Sequence, residues 1–178
     1  GGCVYNGVLL EGVEVSITPE NRIAIKGPVL AHTYLGAEAL WETQCKDGWF
    51  HSSDIGRLEN EKLIVEGRSD DVIISGGENV SSIEVEDAVF SHAEVSEVAV
   101  IGVPDEKWGE AVLALVVKTP GSVLTEDELI AYVKTKLAGY KCPKRIEFRA
   151  ELARTATGKL QKFKLRAPYW EGRDKQVN

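Results

Sequence analysis

The 178-residue chain has no methionine, only three cysteines and three histidines, and no apolar run near the ~20 residues a membrane-crossing helix needs. Each shortage excludes something. Cys3, Cys45 and Cys142 are odd in number and far apart, unlike a disulfide framework. No His stands at ligand spacing from a Cys, so zinc is not signalled. The opening Gly1-Gly2-Cys3-Val4-Tyr5 lacks the basic flank and apolar stretch of a signal peptide. It also lacks an initiator Met. The expectation is a piece of a longer cytoplasmic chain, with its thiols free in a reducing compartment.

What is present suits a folded protein. Hydrophobic residues make up 43 % of the chain, with four Trp, five Tyr and four Phe. That is enough for a core, in one medium domain or two small ones. Net charge is −7 but unevenly spread. Lys134 to Lys175 holds thirteen Lys/Arg against four Asp/Glu, a balance of +9, which leaves −16 for the remainder. A basic end on an acidic chain fits an anionic ligand, an anionic surface or a solvated face. Nucleic acid is not expected, because the basic stretch holds no recognisable nucleic-acid module. Homo-oligomerisation stays open.

Along the chain the grammar changes once. Val13–Ile17 and Arg22–Lys26 alternate as strands around a Pro19-Glu20-Asn21 turn. Lys46-Asp47-Gly48 is a further turn, and Leu63-Ile64-Val65 a further strand. After Asp70 the pattern predicts strand, helix, strand, strand, helix, strand. Val72-Ile73-Ile74 leads to a turn at Gly76-Gly77 and Asn79, and Ser81-x-x-Glu84 is a capping box for a helix to about His92. Val95–Val103 and Ala111–Val117 are strands, with a turn at Pro104-Asp105. Thr125-x-x-Glu128 opens a helix that Gly139 would stop, and Arg145–Phe148 is a last strand. A final helix starts near Lys162 and ends before Pro168. The fold class is α+β: a β-rich segment over 1–69, then a small α+β domain over 70–178 with helices flanking a short sheet.

Several short stretches could carry chemistry. Asp54, within Gly48-Trp49-Phe50-His51-Ser52-Ser53-Asp54-Ile55-Gly56, offers two acceptor oxygens suited to vicinal hydroxyls, or simply caps a turn. Arg68 offers a planar fork for phosphate or sugar oxygens, or pairs with a surface Asp. Gly76-Gly77 before a helix lets backbone approach a ligand, yet matches neither the P-loop nor the dinucleotide spacing. Lys159 sits in the polar loop Arg154-Thr155-Ala156-Thr157-Gly158-Lys159, a mobile charge for phosphate or a solvated lysine.

Order joins these fragments. GWFHSSDIG, LIVEGRSDDVIISGGENVSSIEVE, VSEVAVIGVPDEKWGE and RTATGKLQKFKLR together resemble the acyl-adenylate-forming superfamily of acyl-CoA synthetases, adenylation domains and firefly luciferase. The resemblance spans nearly the whole chain. It implies that 1–69 is the tail of a large AMP-binding domain and 70–178 a small lid domain. It implies an acid–CoA ligase using ATP, Mg²⁺ and CoA, with Asp54 and Arg68 on the ribose and Lys159 as the adenylation lysine. Asp70 would be the hinge, and Gly76, Gly77 and Lys141 would meet CoA. Mg²⁺ would neutralise the departing pyrophosphate, with no metal ligand in this chain.

Where many relatives read Thr-Gly-Asp, this chain reads Ser52-Ser53-Asp54. The family's phosphate loop and acid pocket are not among these residues, so the fragment alone is expected to be inactive, or a bare nucleotide- or CoA-binding module. The closing Phe163–Trp170 is similar to fatty-acyl-CoA synthetases, and the opening Gly2–Gly7 to o-succinylbenzoate–CoA ligases. A fatty or aryl acid is expected, with o-succinylbenzoate as the alternative. A carrier-protein thiol, or oxygen, is the alternative acceptor.

Overall fold

A computed structural model describes residues 3–172. The chain divides into two compact units between Asp70 and Asp71.

The first unit is built on one twisted antiparallel sheet. Its strands are β1 (Val4–Tyr5), β2 (Val8–Leu9), β3 (Glu14–Ile17), β4 (Arg22–Lys26), β5 (Cys45–Lys46), β6 (Trp49–Glu59) and β7 (Lys62–Arg68). They run in the order β1-β2-β7-β6-β4-β3, with β5 also on β6. Two-residue turns with positive φ join β5 to β6 at Asp47-Gly48 and β6 to β7 at Asn60-Glu61. The core holds Val13, Ile23, Ala24 and Leu63. Helix α1 (Glu38–Gln44) lays Trp41 flat on Phe50, ring centroids 5.5 Å apart, with Tyr34 edge-on at 5.1 Å from Trp41. The register shifts between Ile55 and Gly56. Gly56 is required there, because a Cβ would strike the Ile64 carbonyl oxygen.

The second unit runs β8 (Val72–Ser75), β9 (Glu78–Ser81), α2 (Ser82–Phe90), β10 (Val95–Asp105), β11 (Gly109–Lys118), α3 (Glu126–Lys134), β12 (Arg145–Phe148) and α4 (Lys162–Trp170). Strand β11 is the centre, antiparallel to β10 and parallel to β12. It touches β8 at the pair Gly109 and Ser75, and β9 forms the far edge.

The near-continuous apolar run of β11 is now explained. Val112, Ala114 and Val116 join the core under α2 and α3, while Ala111, Leu113 and Leu115 join a second cluster. Leu152, Leu165 and Tyr169 cover that second side. Both faces of the strand are buried, so alternation with polar residues is lost. Each such side chain contributes ~1.5–3 kcal/mol on burial.

Both strand readings at Arg22–Lys26 and Arg145–Phe148 match the observed limits. The Thr125 capping box has both its bonds, with Glu128 N–H donating to Thr125 and Glu128 accepting in return.

Other expectations need correction. Asn79 is not in a turn: Gly76-Gly77 alone closes a β8–β9 hairpin. Pro104 and Asp105 lie in β10, and the chain turns after them, where Asp105 Oδ1 accepts from Lys107 N–H and Trp108 N–H at 2.9 Å. Ser81 caps α2, but the Glu84 carboxylate turns to Lys141 instead of closing the box, and the helix stops at Phe90. Helix α3 ends at Lys134 with Thr135 as cap, ahead of Gly139. Helix α4 continues through Pro168. Its last turn is held by side chains: Tyr169 Oη donates to Glu147 at 2.7 Å and Trp170 Nε1 donates to the Gly102 carbonyl at 3.0 Å. No helix among the described residues is long and apolar enough to cross a membrane.

Candidate functional site

In the first unit, Asp54 on β6 and Arg68 on β7 are register partners. Directly opposed residues of an antiparallel pair share one face of the sheet. The structure therefore sets these two residues side by side on one face of the sheet. Ser52 supports them from below. It is buried, donates to the Ile23 carbonyl at 2.9 Å and accepts from Asp54 N–H at 3.1 Å. That bond fixes the backbone just where the register shifts. Arg68 leans toward Asp70, 3.8 Å away, in an exposed pair of small energetic value. Asp70 lies in the short turn of 3₁₀ helix Ser69–Asp71.

In the second unit, Gly76 and Gly77 have φ of +64° and +85° at the hairpin tip. Gly76 has a second constraint. A Cβ there would come within 2.7 Å of the Trp108 ring, and Gly76 N–H donates to the Trp108 carbonyl at 2.9 Å. The indole is 40 % exposed, so it is a shelf and not a core residue. Lys107 Nζ stands 4.7 Å and Lys144 Nζ 5.6 Å from its ring centre. Lys144 also lines a cavity of about 430 Å³ with Asp105, Arg145 and Tyr169. Burial holds the Tyr169 hydroxyl above its usual range, reinforced by its bond to Glu147.

Lys141 is placed differently. Its Nζ lies 2.7 Å from both carboxylate oxygens of Glu84 and is mostly shielded.

Lys159 is exposed at the end of a closed loop. Arg154 and Leu160 form an antiparallel bridge at its neck. Thr155 N–H donates to the Lys159 carbonyl at 2.8 Å, and Gly158 N–H to the Thr155 carbonyl at 2.9 Å. Lys159 N–H donates to Thr155 Oγ1 at 3.0 Å. Arg154 donates to the Gly158 carbonyl at 2.7 Å and to Glu97 at 2.6 Å. These bonds close the loop on itself, and the Lys159 ammonium has no ion-pair partner among the described residues.

Residues 84–159 match the family described as AMP-binding enzyme C-terminal domain. The chain belongs to the acyl-adenylate-forming enzymes. It is 41 % identical over 148 residues to a feruloyl-CoA synthase of an Amycolatopsis species, covering 83 % of this chain and 30 % of that protein. It is 42 % identical over 162 residues to a 2-succinylbenzoate–CoA ligase of Listeria monocytogenes, covering 90 % of this chain and 34 % of that protein. The o-succinylbenzoate CoA synthetase of Bacillus subtilis, solved with its acyl-adenylate intermediate, superposes with a TM-score of 0.83. The identity is 35 %, covering 88 % of this chain and 34 % of that one. The chain spans about a third of the length of the curated relatives it matches.

The motifs in the sequence did not single out Trp108, Lys107 or Lys144. Trp108 stood in the quoted stretch DEKWGE, but nothing local says that its ring meets a hairpin some thirty residues earlier. Among the described residues, no three His, Cys, Asp or Glu side chains converge on a metal position.

Proposed function

We propose that the protein is an acid–CoA ligase: it joins a carboxylic acid to the α-phosphate of ATP, then passes the acyl group to the thiol of CoA. The observation that carries this reading is the Lys159 loop, closed by its own hydrogen bonds and presenting an exposed cation.

In the first step the acid's carboxylate attacks the α-phosphorus and pyrophosphate leaves. Two anions must meet, so a positive charge placed between them lowers the barrier. Lys159 Nζ supplies that charge. Asp54 accepts hydrogen bonds from the ribose hydroxyls, and Arg68 adds donors beside it. In the second step the CoA thiol attacks the acyl carbonyl and AMP leaves. Asp70 is the hinge that exchanges the Lys159 loop for the Gly76-Gly77 face between steps.

Trp108 with Lys107 and Lys144 favours CoA over a carrier-protein thiol. An exposed ring stacks an adenine, and lysines beside it meet phosphates. For the acid, relatives acting on ferulate and 2-succinylbenzoate favour an aryl acid over a fatty acid. The test is a pyrophosphate-release screen of the full-length protein with aliphatic and aromatic acids, followed by acyl transfer to CoA or to a carrier protein. Acid-dependent pyrophosphate release and a CoA thioester are expected. No acid-dependent release would overturn the reading.

A further inference from the structure

Lys162 is the first residue of α4, three beyond Lys159. By local rules it is misplaced. A helix N-terminus carries partial positive charge and favours acidic residues. Yet α4 has no acid in its first turn, and its N-cap Gln161 makes no side-chain capping bond.

The compensation comes from α2 and β10. Lys162 Nζ lies 2.8 Å from Glu86 Oε1 and donates to Ser82 Oγ at 2.9 Å. The same Glu86 oxygen accepts from Val100 N–H at 2.7 Å. The two charged side chains are only 15 % and 17 % exposed. Burial pushes the Glu86 carboxyl above its usual range even though Lys162 and the Val100 amide pull it down, and Asp71 adds to the push. A buried ion pair of this kind is by itself weak evidence for fold stability. A local misfit repaired at a distance marks functional demand.

That demand is next to it in the chain. The Lys159 loop is anchored on one side by Arg154 gripping Glu97 on β10. On the other side Gln161 N–H donates to the Ala153 carbonyl at 2.9 Å, and Lys162 follows at once.

We infer that Glu86, acting through Lys162, is a positioning residue for Lys159: the buried pair fixes where the loop leaves the sheet and hence where the Lys159 charge stands during adenylation. This rests on the adenylation role given to Lys159 above.

The decisive variant is Glu86→Gln with Lys162→Met in the full-length protein. Gln keeps an acceptor for Val100 N–H, and Met keeps the stem of Lys162, so no orphaned charge is left behind. Two readouts are taken. In amide exchange followed by mass spectrometry, peptides spanning 153–161 should take up deuterium about 10-fold faster, since their protection depends on the tether. Peptides from β10, β11 and α3 should stay as in the wild type.

In kinetics, kcat for pyrophosphate release should fall ~10–100-fold, the scale of a small misplacement of a catalytic group, with KM for ATP changed less than about twofold. Thioester formation from presynthesised acyl-AMP should be unchanged. Lys162→Arg, which still reaches the carboxylate, should keep both steps. Unchanged loop exchange with unchanged kcat would sink the inference. So would equal loss of both steps together with a lower melting temperature, which is the mark of a plain structural pair. Lys159→Ala serves as the control on the functional reading. If it leaves pyrophosphate release intact, that reading fails, while loop exchange still judges the tether by itself.

Discussion

At the Lys159 loop the chain closes on itself through bonds between Thr155, Gly158 and Lys159, and the exposed Lys159 ammonium has no ion-pair partner among the described residues. At the Gly76-Gly77 turn the backbone is packed against an indole ring, and the nearby cations lie over that ring. Both features belong to the second unit, on strands and loops around β11. The first presents a movable point charge, which suits charge that develops only in a transition state. The second presents a flat apolar surface edged with charge, which suits a ligand that is held throughout a step. The proposed two steps would thus use two surfaces of different physical character on one unit.

The sharpest way to break this comparison is at Lys159. Lys159→Ala should lower the rate of pyrophosphate release by at least ~100-fold, the usual cost of removing one transition-state electrostatic contact. Thioester formation from presynthesised acyl-AMP should persist. Equal damage to both steps would mean the two surfaces do not divide the work.

The next largest effect lies beneath both surfaces. Leu113 is fully buried on β11, and Leu113→Ala should cost about 2–5 kcal/mol of stability, seen in urea unfolding. Both steps should then decline together, with temperature, as fold is lost. A selective loss of either step would show that β11 supports one surface more than the other.

Trp108→Ala should be milder and opposite in sense to Lys159→Ala. Removing a stacking ring costs about 1–3 kcal/mol, so KM for CoA should rise ~5–100-fold while pyrophosphate release holds. A fall in pyrophosphate release without a change for CoA would reassign the shelf.

The smallest effect tests a control outside both surfaces. The bond from Thr125, and then its backbone amide, hold the Glu128 carboxyl below its usual range. A lowered carboxyl stabilises the fold above its unfolded value and loses that contribution as pH falls through the folded one. The melting temperature of the wild type should therefore fall more steeply on acidification than that of Thr125→Ala, and neither half-reaction should respond selectively to the substitution.

Some of this was readable in the chain itself. Arg22–Lys26 and Arg145–Phe148 alternate polar and apolar residues along the chain, and that period is local, although Ile23 and Ala24 on opposite faces of β4 are both buried. The Thr125 box is also local, since both partners lie within one helical turn. Where sequence reasoning slipped, a distant contact had won. Glu84 could have closed a capping box at Ser81 but found Lys141 across the fold. Pro168 would ordinarily end a helix, yet Tyr169 and Trp170 are held by Glu147 and Gly102. The hairpin at Gly76-Gly77 was read as a bare turn because β9 is short and leads straight into α2.

The order of short motifs by itself determined the family, because each motif is a run of neighbours and order survives without coordinates. It also singled out Asp54, Arg68 and Lys159. Tertiary structure alone decided what stands beside them. Only strand register sets Arg68 opposite Asp54, only the fold of β11 against β8 lays Trp108 on Gly76, and only the packing of both α2 and α4 on β10 joins Lys162 to Glu86. The physical reason is the same in each case. A pairing between residues far apart in the chain is set by burial and by the geometry of whole elements, and neither is written in any single stretch of sequence.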